Sequence, residues 1–215
     1  TERVMAGLAQ VWCNMGLNVL IITDEPQNAT DYKYPKDVTR ICLNTLLPKS
    51  INTPINRAKI LYRIIKKYHV DLIVNHAWCC RTLFWDTVAF KMANTAVLIH
   101  THSSLSTGYS SYDISCWIHI TKLGFFYELT DGIITLTNTE TAWWNLWHPF
   151  VFHTVNPVSL NYDETFEKRS VGHHLLWIGR IAPEKQPFYA LQIFKEVIDK
   201  IPDAILHIVG KSDDD

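Results

Sequence analysis

Two rhythms of apolar residues alternate along the chain. Short unbroken runs such as LNVLIIT (Leu17 to Thr23), VDLIVN (Val70 to Asn75) and GIITL (Gly132 to Leu136) read as strands, and continuous apolar runs of this kind suit strands buried on both faces of a parallel sheet. Between them, apolar residues recur three and four apart, the spacing of one helical face. Thr1 to Met15 predicts a helix with Val4, Leu8, Val11, Trp12 and Met15 on one side and Gly16 just past its end. Asp24 to Ser50 is polar and carries Pro26, Pro35 and Pro48, so it predicts a long connection with one short strand, Thr39 to Leu43. Thr53 then offers an N-cap and Pro54 a first helical position, for a helix reaching about Tyr68.

The alternation continues. After the strand Val70 to Asn75 come a helix (Arg81 to Ala93), a strand (Ala96 to His100), a Ser-rich turn (Ser103 to Ser111) and a helix (Ser115 to Leu129). The strand Gly132 to Leu136 precedes a short helix, Thr139 to Trp147, and a strand, Val151 to Val155. Asn161 to Gly172 is polar without apolar period, which marks a boundary. Beyond it Leu175 to Ile178 predicts a strand. A helix with Leu191, Phe194, Val197, Ile198 and Ile201 on one face follows, and then a strand, Ala204 to Val209, before Gly210. Strand and helix alternating in this way predict an α/β fold with doubly wound parallel sheets. The expected organisation is a first domain over 1–160, a linker over 161–172 and the beginning of a second domain over 173–215.

Composition narrows the class. Of 215 residues, 47% are apolar and 19% charged, ample for a buried core and against disorder. A net charge of −1 leaves no broad basic footprint for nucleic acid. The five cysteines are odd in number, lack C-x-x-C spacing and include the adjacent pair Cys79-Cys80, so free, buried thiols in a reducing compartment are expected. No window of about 20 residues is continuously apolar, so no transmembrane helix is predicted. The chain opens inside a helix without Met and stops just after a strand, and both ends are expected to be cuts in a longer protein.

The candidate chemistry sits at predicted strand ends, where ligands of open α/β sheets bind. Gly179-Arg180 ends one strand, and Lys185 lies just before the next helix. A forked guanidinium and a mobile ammonium beside a helix N-terminus suit a diphosphate, although the same residues also suit a solvated turn. His76, His100 and His102 follow two other strand ends. The H-x-H pair admits a metal reading with His76 as a third ligand, beside a reading as loop histidines bonded to backbone. Thr135 and Thr137 sit near another strand end, within reach of a bound substrate. Asn156-Pro157-Val158 reads as a turn. Trp143, Trp144 and Trp147, with Phe150 and Phe152, read as helical core packing or as a membrane-docking cluster.

The string WIGRIAPEKQPFYALQIFKEVIDKIPDAILHIVG, from Trp177 to Gly210, resembles the start of the second domain in glycosyltransferase family 4, the retaining GT-B enzymes. The resemblance implies two Rossmann-like domains, the first nearly whole and the second only begun. It implies a nucleotide-diphosphate sugar donor, with Gly179, Arg180 and Lys185 holding the diphosphate, and a saccharide or lipid-linked saccharide acceptor. His102 fits a catalytic-site histidine that bonds the donor sugar, with His100 second. No metal and no cofactor is expected, because family members are metal-independent. The sequence is also similar to bacterial enzymes of surface-polysaccharide assembly, implying a cytoplasmic protein with possible peripheral contact at the inner membrane face. The family's paired glutamates lie beyond Asp215, so the chain alone is expected to be inactive. A non-catalytic GT-B partner that binds acceptor, or a nucleotide-sugar isomerase of the same fold, are the alternatives.

Overall fold

The computed structural model describes residues 2–26, 32–48, 53–76, 82–102, 127–157 and 172–211. The chain divides into two units, Thr1–Leu160 and Asn161–Asp215. The predicted helix Ser115 to Leu129, apart from its last residues, the Ser-rich turn, and nearly all of the expected linker lie outside the described residues.

The first unit alternates as the pattern predicts. Its elements are α1 (Glu2–Asn14), β1 (Leu20–Thr23), β2 (Thr39–Cys42), α2 (Leu43–Leu46), α3 (Pro54–Tyr68), β3 (Leu72–Asn75), α4 (Leu83–Met92), β4 (Ala96–His100), β5 (Gly132–Thr135), α5 (Asn138–Trp144) and β6 (Val151–His153). Every strand pairing is parallel. β1 and β2 form one sheet, and β3-β4-β5-β6 form a second in chain order. One core serves both. Leu61, Ile64 and Ile65 of α3 and Ala89 and Phe90 of α4 bury against Val97, with Leu20, Ile22 and Ile41 of the small sheet packed on the same cluster. A neighbouring cluster joins Leu83, Ile99, Tyr127, Ile133 and Trp144.

Local chemistry explains the boundaries of α3. The Thr53 hydroxyl accepts from the backbone N–H of Asn56, and Pro54 fills the first turn. His69 ends the helix in the left-handed region (φ 50°), and its N–H donates to the Ile65 carbonyl.

Several expectations are corrected. α1 buries only part of the predicted side. Val4 is buried and Leu8 and Trp12 are half-buried, whereas Val11 and Met15 are exposed at 49% and 68%, and the buried Ala9 lies outside that set. Pro157 packs where a side chain at Gly7 would point. β1 begins at Leu20, later than predicted; Ile21 is buried on one face, and Leu20 and Ile22 on the other are half-buried against the core cluster. The short strand expected to reach Leu43 ends at Cys42, and the chain turns at once into α2. Leu43 is thereby carried into the core. Cys13 and Cys42 are free thiols, though only half-buried.

The second unit is a parallel β-α-β unit. β7 (His174–Ile178) pairs with β8 (Ile205–Val209), His174 opposite Ile205 and Ile178 opposite Val209. A 3-10 turn (Pro183–Lys185) and α6 (Pro187–Ile198) connect them. No residue of α6 is fully buried, and Leu191 and Ile198 of the predicted face are exposed. A single helix over two strands has only one narrow layer to pack against.

Candidate functional site

Parallel register builds the first constellation. Asn75 of β3 stands opposite Ile99 of β4. One step further along both strands sets His76 beside His100. His102, two residues on, points to the same side as His100 because strand side chains alternate. The three rings meet: centroids of His100 and His102 are 4.3 Å apart, His76 and His102 4.9 Å, and His76 and His100 5.1 Å. His76 Nδ1 and His102 Nε2 share a 2.6 Å hydrogen bond. One nitrogen must donate and the other accept, so at least the accepting ring is neutral in this arrangement. His100 is 3% exposed, and neither of its ring nitrogens has a partner among the described residues.

His100 also lines a cavity of about 360 Å³ beneath α1, with Leu8, Trp12, Val74, Ile134 and Phe152. A larger concavity, about 540 Å³, is bordered by Thr130, Asp131, His148 and Phe150. Those residues precede β5 and β6, so it opens at the amino ends of the strands. The histidines are at the carboxyl ends, where substrates of such sheets bind.

Burial, reinforced by the neighbouring rings, pushes His76 down to about 3; burial and His100 push His102 down to about 4. Burial lowers His100 as well. In the unfolded chain these groups titrate near 6.5. Below that value the unfolded state binds protons that the folded state refuses, so stability falls as pH drops from about 6.5 towards 4. Melting curves of chelator-treated protein between pH 7 and pH 5 are therefore expected to fall steeply. A His76→Gln/His102→Gln variant should fall less, and an equal slope would contradict the neutral cluster.

The second unit positions Gly179, Arg180 and Lys185. The N–H of Gly179 donates to the Val209 carbonyl at 3.1 Å, which continues the β7–β8 ladder past the strand end. Arg180 follows, exposed, and the Ala182 N–H donates back to its carbonyl. Lys185 closes the 3-10 turn, and Gln186 then takes a left-handed conformation (φ 55°) that leads into α6. A Cβ on Gly179 would lie 3.8 Å from the Lys185 Cβ, so the turn brings the lysine stem back over the strand end. A Cβ on Gly210 would meet the Gly179 carbonyl oxygen at 1.9 Å. The absence of a side chain at Gly210 lets the strand ends close on each other. The left-handed Gln186 was not foreseen, since glutamine carries no turn signature.

Other candidates fall away. Thr135 is fully buried, its hydroxyl 2.6 Å from that of Thr141, and so it faces the core rather than an acceptor. Thr137 is the N-cap of α5, accepting from the Glu140 N–H. Pro157 packs near Gly7, and Val158 lies outside the described residues. The tryptophans divide: Trp144 is core, Trp143 half-buried, and Trp147, Phe150 and Phe152 are exposed. Among the described residues, no helix is long and apolar enough to cross a membrane.

Comparison with known proteins agrees with this architecture. No curated protein matches the chain. Residues 1–151 match the family described as Glycosyltransferase Family 4. That stretch holds α1 through the start of β6, including all three clustered histidines. Parallel Rossmann-like layers of the GT-B kind, strand-end histidines and a family match over more than half of the sequence converge: the chain belongs to glycosyltransferase family 4.

Proposed function

We propose that this chain belongs to a retaining glycosyltransferase that takes its sugar from a nucleotide diphosphate. The observation that carries the reading is the turn after β7. There Gly179 and Lys185 are close, Arg180 is exposed at the strand end, and the N-terminus of α6 follows directly. Departure of the diphosphate concentrates negative charge on its β-phosphate. Fixed cations and a helix N-terminus lower that barrier, and electrostatic stabilisation is usually the largest single term in catalysis. Retention follows from the leaving phosphate assisting acceptor deprotonation on the same face, with no enzyme nucleophile and no metal. His102, at the end of β4, hydrogen-bonds the donor sugar. The acceptor is a saccharide or lipid-linked saccharide, in cell-surface polysaccharide synthesis on the cytoplasmic side of the membrane.

The test is thermal stabilisation of the intact protein by UDP, GDP and ADP. One diphosphate is expected to raise the melting temperature. An Arg180→Ala/Lys185→Ala variant loses two charge-assisted contacts, each worth about 1.5 kcal/mol or more, so its affinity should fall by at least about 100-fold. A folded protein that answers to none of the three, or a variant that answers as the wild type does, would remove the donor-site assignment and favour a non-catalytic partner.

A further inference from the structure

We infer that His76, His100 and His102 form a binding site for one transition-metal ion of the zinc class. Each residue offers one ring nitrogen, and the three ligand atoms lie within 4.8 Å of one another. They come from the ends of two hydrogen-bonded strands, β3 and β4, so their backbones are already fixed relative to each other. His100 supplies an observation independent of the spacing. It is 3% exposed, yet both of its nitrogens lack a partner among the described residues. A buried imidazole without a hydrogen bond is uncommon, because a polar group out of water ordinarily finds one. An ion among the three rings would engage it.

The donor set selects the metal. Three imidazoles and no carboxylate suit Zn²⁺, Co²⁺, Ni²⁺ or Cu²⁺, whereas Mg²⁺ and Ca²⁺ require oxygen ligands. Around a tetrahedral ion with Zn–N of about 2.0–2.1 Å, ligand nitrogens stand about 3.4 Å apart. The His76–His102 pair at 2.6 Å must open by less than 1 Å, and the widest separation, at most 4.8 Å, must close to hold the ion. Three protein ligands leave the fourth position to water or to a substrate oxygen.

This inference does not rest on the transferase reading. An ion on one His102 nitrogen leaves the other as an N–H donor, because the ring carries two nitrogens.

The experiment is titration of the chelator-treated full chain with Co²⁺ at neutral pH, followed in the visible spectrum. The expected result is one equivalent bound, with the intense bands of tetrahedral cobalt, displaced by Zn²⁺. His76→Ala and His102→Ala change half-buried side chains at strand ends and leave the paired strand residues intact. Each should weaken binding by more than about 100-fold, since even outer-shell partners of a metal site are worth 10–100-fold. Far-UV circular dichroism without metal checks that the variants fold, and His76→Gln replaces either one that does not. The exposed pair His174 and His207, with ring nitrogens 2.9 Å apart, is the competing location. A His174→Ala/His207→Ala variant should keep the spectrum. Loss of the bands in that variant, their survival in His76→Ala, or the absence of tetrahedral bands in the wild type would each overturn the assignment and leave a hydrogen-bonded histidine cluster without metal.

Discussion

Arg57→Met is expected to lower stability by about 3–5 kcal/mol, the range for removing one partner of a buried ion pair. Arg57 Nε donates to both carboxylate oxygens of Asp86, at 2.9 and 3.1 Å, and its Nη1 binds Asp24. The side chains of Arg57 and Asp86 are only 11% and 5% exposed. Burial opposes the guanidinium charge, yet hydrogen bonds and charge from Asp86 and Asp24 outweigh it and hold the pKa of Arg57 above its ordinary value. Asp86 depends on this partner. Burial keeps its carboxyl above the usual range even with Arg57 and the Thr82 hydroxyl bonded to it. Without Arg57 the carboxylate must protonate or draw in water. Urea unfolding of the wild type, Arg57→Met and Arg57→Met/Asp86→Leu checks the mechanism. The double variant should recover most of the loss, because it removes the stranded charge. A single-variant loss below about 1 kcal/mol would mean that the pair is already solvated.

Trp144→Ala is expected to have an effect of similar size, about 3–5 kcal/mol, by opening a cavity in the second core cluster. Trp144 is 2% exposed and lies against Tyr127 and Trp143, at ring-centroid distances of 4.5 and 5.0 Å. Its indole nitrogen has no hydrogen-bond partner, so no bond is lost with it, and Trp144→Phe should lose much less. Trp147, three residues on and 56% exposed, is the control: its replacement by Ala should stay within about 0.5 kcal/mol. Equal effects at the two positions would mean that both rings pack in solution.

The residues that announce themselves locally were legible in the sequence. Thr53-Pro54 marked the start of α3, and the unbroken run Ala96 to His100 was β4 from end to end. Gly179-Arg180 stood at the end of its strand as expected. What depended on neighbours was not legible. How far along α1 the buried face runs is decided by the layer it meets, which covers Val4 and Ala9 and leaves Val11 and Met15 exposed. Thr135 was credited with an outward role because it ends a strand, but alternation along β5 turns it inward while Ile134 lines the cavity. The histidine cluster lay between these cases. All three residues could be placed at strand ends, and His76 could be named as a partner for the H-x-H pair. Their meeting required β3 and β4 to be adjacent and in one particular register, and no local pattern in a parallel sheet states its register.

The parallel pairing carries a consequence for the speed of folding. Among the described residues every strand bonds only to strands running the same way, so no two are joined by a tight hairpin. Each pairing waits on a crossover of a dozen residues or more. The entropy of closing those loops is lost before any sheet contact returns it. Strand edges such as Leu72–Asn75 and Val151–His153 then spend the early stages of folding unpaired and open to other chains. Refolding yield should accordingly depend on protein concentration far more than the stability of the finished fold does.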